Sequence, residues 1–273
     1  MANARFCNGR DGTKIRYEVR GKGDPLALIM GYSGSSRTWG EPFISAISKR
    51  FRTILIDNRG TGESDHPDGP WTLPDMAGDV AAVLDDAGVA RAHVYGISMG
   101  GMIAQEFALH HPERLRGLIL GCTNCGFANS VLAPPEATAA LAPNPNEPLA
   151  QQARRMLEAC CSPAFVASPI GQKIIDERIK EMSAYPATPL HSYRRQWEAI
   201  AAFDSFARLG RIKAPAMIIT GSADPIVPAA NSDLLQRGIP GSKMHSIEGA
   251  GHLFFWEAPE ESAEAPGDFL VRH

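Results

Sequence analysis

His93-Val94-Tyr95-Gly96-Ile97-Ser98-Met99-Gly100-Gly101-Met102-Ile103-Ala104 passes from a short apolar run into a helical pattern through a knot of glycines. Residues 93–96 read as a buried strand, and residues 98–110 carry apolar side chains at three- and four-residue spacing, as an amphipathic helix does. Only a tight turn joins two such elements so abruptly. Gly96 and Gly100 let strand and helix approach, and the serine between them is expected to sit on a strained backbone. Serine is common at a helix N-cap, but capping alone does not call for a glycine on either side.

Outward from this turn the chain keeps alternating. Residues 26–30, 53–57 and 118–120 read as further buried strands, with amphipathic helices at 38–49 and 73–87 between them. Strands interleaved with helices predict a parallel sheet. A hairpin at 5–7 and 14–19 around Asp11-Gly12 precedes them. From Gly126 to about Phe206 the pattern changes: Pro134, Pro135, Pro143, Pro145 and Pro148 cluster, and the periodic stretches 149–161, 170–183 and 191–203 are helical. Strands at 216–220 and 243–247 and a helix at 259–271 resume the first pattern. One domain made of 1–125 and 207–273, interrupted by a helical cap at 126–206, accounts for this order. Pro266-Gly267 is expected to shorten or kink the last helix.

Gly96-Ile97-Ser98-Met99-Gly100 has the strand-turn-helix context of a nucleophile elbow. The bare G-x-S-x-G string arises by chance in roughly one chain of this length in ten, so its surroundings decide. A serine hydroxyl needs a base within hydrogen-bond reach, itself oriented by an acid. Asp224 follows the predicted strand 216–220, in a loop stiffened by Pro225 and Pro228. His252 follows the strand 243–247 in Gly249-Ala250-Gly251-His252. Loops after parallel strands emerge at one sheet edge, so Ser98, Asp224 and His252 are expected to converge there. Their chain order is the one this motif requires. An oxyanion would be held by the Met99 amide at the helix start and by one from Gly31-Tyr32-Ser33-Gly34, assigned to Tyr32 with Ser33 as alternate.

Composition narrows the alternatives. The hydrophobic share of 44% and charged share of 21% are ordinary for globular proteins. With 27 basic and 30 acidic residues, net −3, the chain has no positive surplus to meet a nucleic acid. The polar first twenty residues and the lack of a long apolar run point to a cytoplasmic protein without a membrane partner. Five cysteines do not form a disulfide framework. Cys122-x-x-Cys125 closes a strand instead of opening a helix, so it and Cys160-Cys161 are read as packing thiols. Walker-type loops, dinucleotide fingerprints and H-E-x-x-H are absent from the sequence. Oligomeric state is not legible.

With these residues in hand, the chain resembles the α/β-hydrolase superfamily, in its branch of small esterases, enol-lactonases and cofactor-free haloperoxidase-type perhydrolases. Gly96 to Gly101, the Asp224 and His252 segments, and Asp57-Asn58-Arg59-Gly60-Thr61-Gly62-Glu63-Ser64, similar to a D-x-R-G-x-G-x-S loop, carry the resemblance. It implies a mostly parallel central sheet flanked by helices. It also implies an acyl-enzyme route on a small ester or lactone, with no metal or organic cofactor and with Arg59 held by carboxylates and carbonyls beneath the site. Met30-Gly31 stands where the family usually has His-Gly, so an imidazole that often braces the oxyanion loop is missing. The same triad would also serve carbon–carbon bond hydrolysis or perhydrolysis, and some members of the fold are non-catalytic receptors. Trp39, Phe127, Met156, Trp197, Ile226, Val227 and Leu253 are the apolar candidates for the substrate pocket.

Overall fold

Strands β1 (Arg5–Asn8), β2 (Lys14–Arg20) and β3 (Pro25–Ile29) begin an eight-stranded sheet. The structure, a computed structural model, describes residues 4–183 and 188–273. After β3 come α1 (Glu41–Ser48), β4 (Arg52–Ile56), α2 (Leu73–Asp86), β5 (Ala92–Ile97), α3 (Met99–His110) and β6 (Leu115–Gly121). Among the described residues five α-helices follow: α4 (Pro135–Ala139), α5 (Leu149–Cys160), α6 (Pro163–Ala167), α7 (Pro169–Ser183) and α8 (Leu190–Ala201). The chain then completes β7 (Ala216–Gly221), α9 (Ala230–Gly238), β8 (Lys243–Ile247), α10 (Phe254–Glu257) and α11 (Pro259–Leu270).

The strand order is β1-β2-β4-β3-β5-β6-β7-β8. β2 pairs antiparallel with β1 and β4, and every pairing from β4 to β8 is parallel. β5 is buried along its whole length, as a central parallel strand covered on both faces must be. The two-residue period of β3 divides its side chains between two apolar layers. Ala27 and Ile29 join the layer under α2 and α3, whereas Leu26 and Leu28 join the layer that includes Phe43, Phe254 and Leu270 from α1, α10 and α11. α2 begins with a capping box in which Thr72 and Asp75 satisfy each other's first-turn groups. α3 buries Met99 through Ala108 almost all round, being enclosed by the sheet and its neighbours.

The segment between β6 and β7 is pinched at its base. Gly126 bridges to Asp204, and the Ser205 amide donates to the Cys125 carbonyl at 2.9 Å. Among the described residues no helix is long and apolar enough to cross a membrane.

Three readings of the sequence need correction. The single helix expected at 38–49 is a 3-10 turn, Ser36–Trp39, followed by α1, because Gly40 breaks the chain at φ 75°. Trp39 consequently turns into the core, fully buried and stacked on Phe43 at 4.8 Å, so it does not line a pocket. The last helix is not shortened by Pro266 and continues to Leu270. Pro266 removes the amide that would reach the Ser262 carbonyl, and the buried Tyr95 hydroxyl approaches that carbonyl at 3.5 Å instead.

Candidate active site

Ser98 is the first residue beyond β5 and adopts φ 53°, ψ −123°, a conformation that side chains rarely take. The turn is held from below: the Ser98 amide donates to the Gly121 carbonyl at 2.9 Å, and the Thr123 hydroxyl donates to the Ser98 carbonyl at 2.7 Å. A Cβ on Gly96 would overlap the Gly100 carbonyl, and one on Gly100 would overlap the Ile29 and Met30 carbonyls. The two glycines therefore have a steric cause. Met99 opens α3, where first-turn amides have no acceptor within the helix.

Asp224 and His252 come from the loops after β7 and β8, at the same sheet edge as Ser98. His252 Nδ1 donates to Asp224 Oδ2 at 2.8 Å, and both side chains are buried. The other carboxylate oxygen, Oδ1, accepts the Ile226 and Val227 amides at 2.8 and 2.9 Å. Burial disfavours an imidazolium at His252, but the adjoining Asp224 carboxylate outweighs it and holds the imidazole well above its ordinary value of 6.5.

Cys122 is a member of this neighbourhood that sequence reading treated as packing. It follows β6 at φ 38°, and its buried thiol donates to the His252 carbonyl at 3.5 Å. The same thiol lies beside the Ser98 backbone, and burial raises its pKa, keeping it protonated. Cys122 Sγ, an Asp224 carboxylate oxygen and a His252 ring nitrogen lie within 4.8 Å of one another. Two of these groups are engaged through protons, on Nδ1 and Sγ, which fits a hydrogen-bonded set better than a metal-ligand set. Cys160 is also more than packing, since its carbonyl accepts the His252 and Leu253 amides at 2.8 and 3.2 Å. Glu257 joins the same corner. Its Oε1 accepts the Gly251 amide at 3.1 Å and the Ser162 amide at 2.9 Å.

The Gly31-Tyr32-Ser33-Gly34 loop passes directly over Ser98, and a Cβ on Gly31 would come 2.9 Å from Ser98 Cβ. The Ser33 amide is already engaged, donating to Gln196 Oε1 of α8 at 2.7 Å. Below the loop, Asp57 accepts the Ser36 and Glu63 amides at 2.7 and 3.0 Å. Arg59 binds the Asp79 carboxylate at 2.7 and 2.8 Å and Asp11 at 2.8 Å.

Tyr32 is also part of the lining of a cavity of about 650 Å³, formed mainly by apolar atoms of Tyr32, Leu141, Pro143, Leu190, Tyr193 and Trp197; Ser98, Asp224 and His252 are not among its described lining residues. Of the seven pocket candidates, Trp197 lines it, and Phe127 packs against Trp197 with ring centroids 5.9 Å apart. Ile226, Val227 and Leu253 are buried in the loops that carry Asp224 and His252. Met156 is half-buried on α5 and outside this lining. Leu190, Tyr193 and Trp197 recur at three- and four-residue spacing on α8, a signal the sequence offered for the missed wall.

A family model described as the alpha/beta hydrolase fold matches residues 24–259. The chain belongs to that family. An Azorhizobium caulinodans protein with the provisional name carbamate hydrolase RutD is 32% identical, covering 93% of this α/β hydrolase and 94% of the relative. The 2-hydroxy-6-oxononadienedioate/2-hydroxy-6-oxononatrienedioate hydrolase of Burkholderia vietnamiensis is 30% identical over 99% and 96% of the two chains. Among solved structures, esterase RhEst1 from Rhodococcus sp. ECU1013 superposes with a TM-score of 0.84 at 25% identity, covering 99% of each chain. This α/β hydrolase is therefore similar to proteins named for three different classes of substrate.

Proposed function

We propose that the chain is a serine hydrolase cleaving a carboxylic ester or lactone of a small, uncharged organic substrate through an acyl-enzyme intermediate. The observation that carries this reading is the buried His252–Asp224 hydrogen bond at the sheet edge that also holds the strained Ser98 turn. A carboxylate on Nδ1 orients the imidazole and leaves Nε2 to exchange a proton with a substrate-facing hydroxyl.

In the first half-reaction Ser98 Oγ attacks the carbonyl carbon while His252 Nε2 takes the hydroxyl proton. The substrate oxygen becomes an oxyanion, stabilised by the Tyr32 and Met99 amides. The bond to the leaving oxygen then breaks as His252 returns the proton to it, leaving Ser98 acylated. In the second half, water attacks the acyl carbon and passes its proton to His252, which hands it to Ser98 as the acid departs. With a lactone the leaving alkoxide stays tethered and the product is a hydroxy acid. Residues 126–206 serve as the cap that walls the substrate space over the core formed by 1–125 and 207–273.

The character of the cavity favours an uncharged substrate. Among the described lining residues the one arginine, Arg194, is paired with Asp68 at 3.1 Å and lies 3.9 Å from Glu198, and apart from Thr138 and His191, whose Nε2 donates to the His66 carbonyl, the rest are aromatic and aliphatic. The dicarboxylate named for the Burkholderia vietnamiensis relative would find no unmatched arginine or lysine among the described lining residues. The test is turnover of p-nitrophenyl esters from acetate to decanoate, with neutral lactones and a dicarboxylate vinylogous keto acid in parallel, by wild type and Ser98→Ala. Ester or lactone turnover that falls at least 10⁴-fold in the variant supports the reading. Failure of every ester and lactone, or preference for the dicarboxylate, overturns it.

A further inference from the structure

Gln196 is fully buried on α8, where a polar side chain without partners would be costly. Both ends of its amide are used across the boundary with the core: Oε1 accepts the Ser33 amide at 2.7 Å, and Nε2 donates to the Arg59 carbonyl at 3.3 Å. Its helix is itself pinned to the loop that follows β4. His191 Nε2 donates to the His66 carbonyl at 2.9 Å, and Arg195 Nε donates to the Asp68 carbonyl at 2.8 Å.

The loop it meets is a four-residue turn closed by a hydrogen bond from the Gly34 amide to the Gly31 carbonyl at 3.3 Å. Ser33 has φ 58°, whereas Tyr32 is not in the positive-φ region. That combination is a type II turn, whose third position favours glycine. For a Tyr-Ser pair the commoner type I turn lies one peptide flip away, with the Ser33 N–H pointing to the other side of the loop. Gln196 Oε1 meets the N–H in its flipped orientation and so compensates for serine at a glycine-favouring position.

We propose that Gln196 is a positioning residue for the oxyanion loop: by holding the Ser33 amide it keeps the Gly31–Gly34 turn closed in its type II form, and with it the placement over Ser98 of the loop whose preceding peptide carries the Tyr32 amide. This rests on the reading of Ser98 as nucleophile. Because Gly31 lies against Ser98 with no room for a Cβ, small changes in the turn are felt at the reacting atoms.

The experiment compares wild type, Ser98→Ala, Gln196→Met, Ser33→Gly and the Gln196→Met/Ser33→Gly double variant on one p-nitrophenyl ester. Gln196→Met is expected to lower kcat by about 10- to 100-fold, less than or comparable to loss of a whole oxyanion donor, with KM changed by less than twofold. Inhibition by an aryl boronic acid, which forms a tetrahedral adduct on the serine, should weaken by the same factor as kcat/KM. Glycine accepts φ 58° without help, so Ser33→Gly should restore most of the lost kcat in the Gln196→Met background. That rescue would not follow from a merely structural role. If Gln196→Met does not fold, Gln196→Asn, one methylene short of the Ser33 amide, is held to the same expectations. Unchanged kcat, a loss confined to KM, or no rescue by Ser33→Gly overturns the proposal while leaving the Ser98 reading intact. Lack of wild-type turnover, or turnover that survives Ser98→Ala, removes that reading instead.

Discussion

Glu257 accepts both the amide and the hydroxyl of Ser162, at 2.9 and 2.6 Å, and so ties the helical insertion to the loop that carries His252. The same carboxylate takes the Gly251 amide, one residue before His252. Glu257→Ala leaves two amides without this acceptor and is expected to cost about 1–3 kcal/mol of stability in urea unfolding. It should also lower kcat by roughly tenfold, because the imidazole loses part of its positioning. Glu257→Gln keeps one acceptor oxygen and should stay near wild type in both measurements. Equal behaviour of the two variants would show that the carboxylate does not brace the histidine loop.

The strained serine gives a prediction that needs no substrate. Ser98→Ala and Ser98→Gly both remove the hydroxyl, so they differ mainly in backbone freedom. On an unstrained backbone glycine is the less stable choice by about 0.5–1 kcal/mol. At φ 53°, ψ −123° the order should reverse, with Ser98→Gly more stable than Ser98→Ala by about 1 kcal/mol in denaturant unfolding. If the alanine variant is the more stable, the elbow stores no strain.

What could be read from the chain and what could not divide along a physical line. Gly96 and Gly100 were legible because a steric need left a mark in the sequence itself. Asp224 and His252 were legible because loops after parallel strands share a sheet edge, whatever their contacts. Trp39 was misplaced because the direction of its ring depends on the break at Gly40, which periodicity does not report. Gln196 was invisible for a different reason. In a helix of mixed polarity a buried glutamine looks like an exposed one until its partner, 163 residues away, is known. Cys122 and Cys160 were likewise read as packing thiols, because their roles at His252 run through one weak thiol donor and one backbone carbonyl.

The pH dependence of activity follows from the two opposing influences on His252. Burial lowers the affinity of the imidazole for a proton, and the Asp224 carboxylate raises it by more, so the net pKa lies well above 6.5. A general base must be unprotonated, so kcat/KM on a neutral ester should rise with pH through an inflection above 6.5 and fall away at acidic pH. Asp224→Asn removes the negative charge and leaves the burial, so the inflection should move downward, below 6.5. The asparagine amide can also donate to Nδ1, forcing the remaining proton onto Nε2, where it faces the serine and blocks proton removal. Activity on the plateau should therefore drop by roughly three to four orders of magnitude even though the base is less protonated. A pH–rate profile from 5 to 10 for both proteins separates the two effects. An inflection that stays in place in Asp224→Asn would mean that a group other than His252 controls the profile.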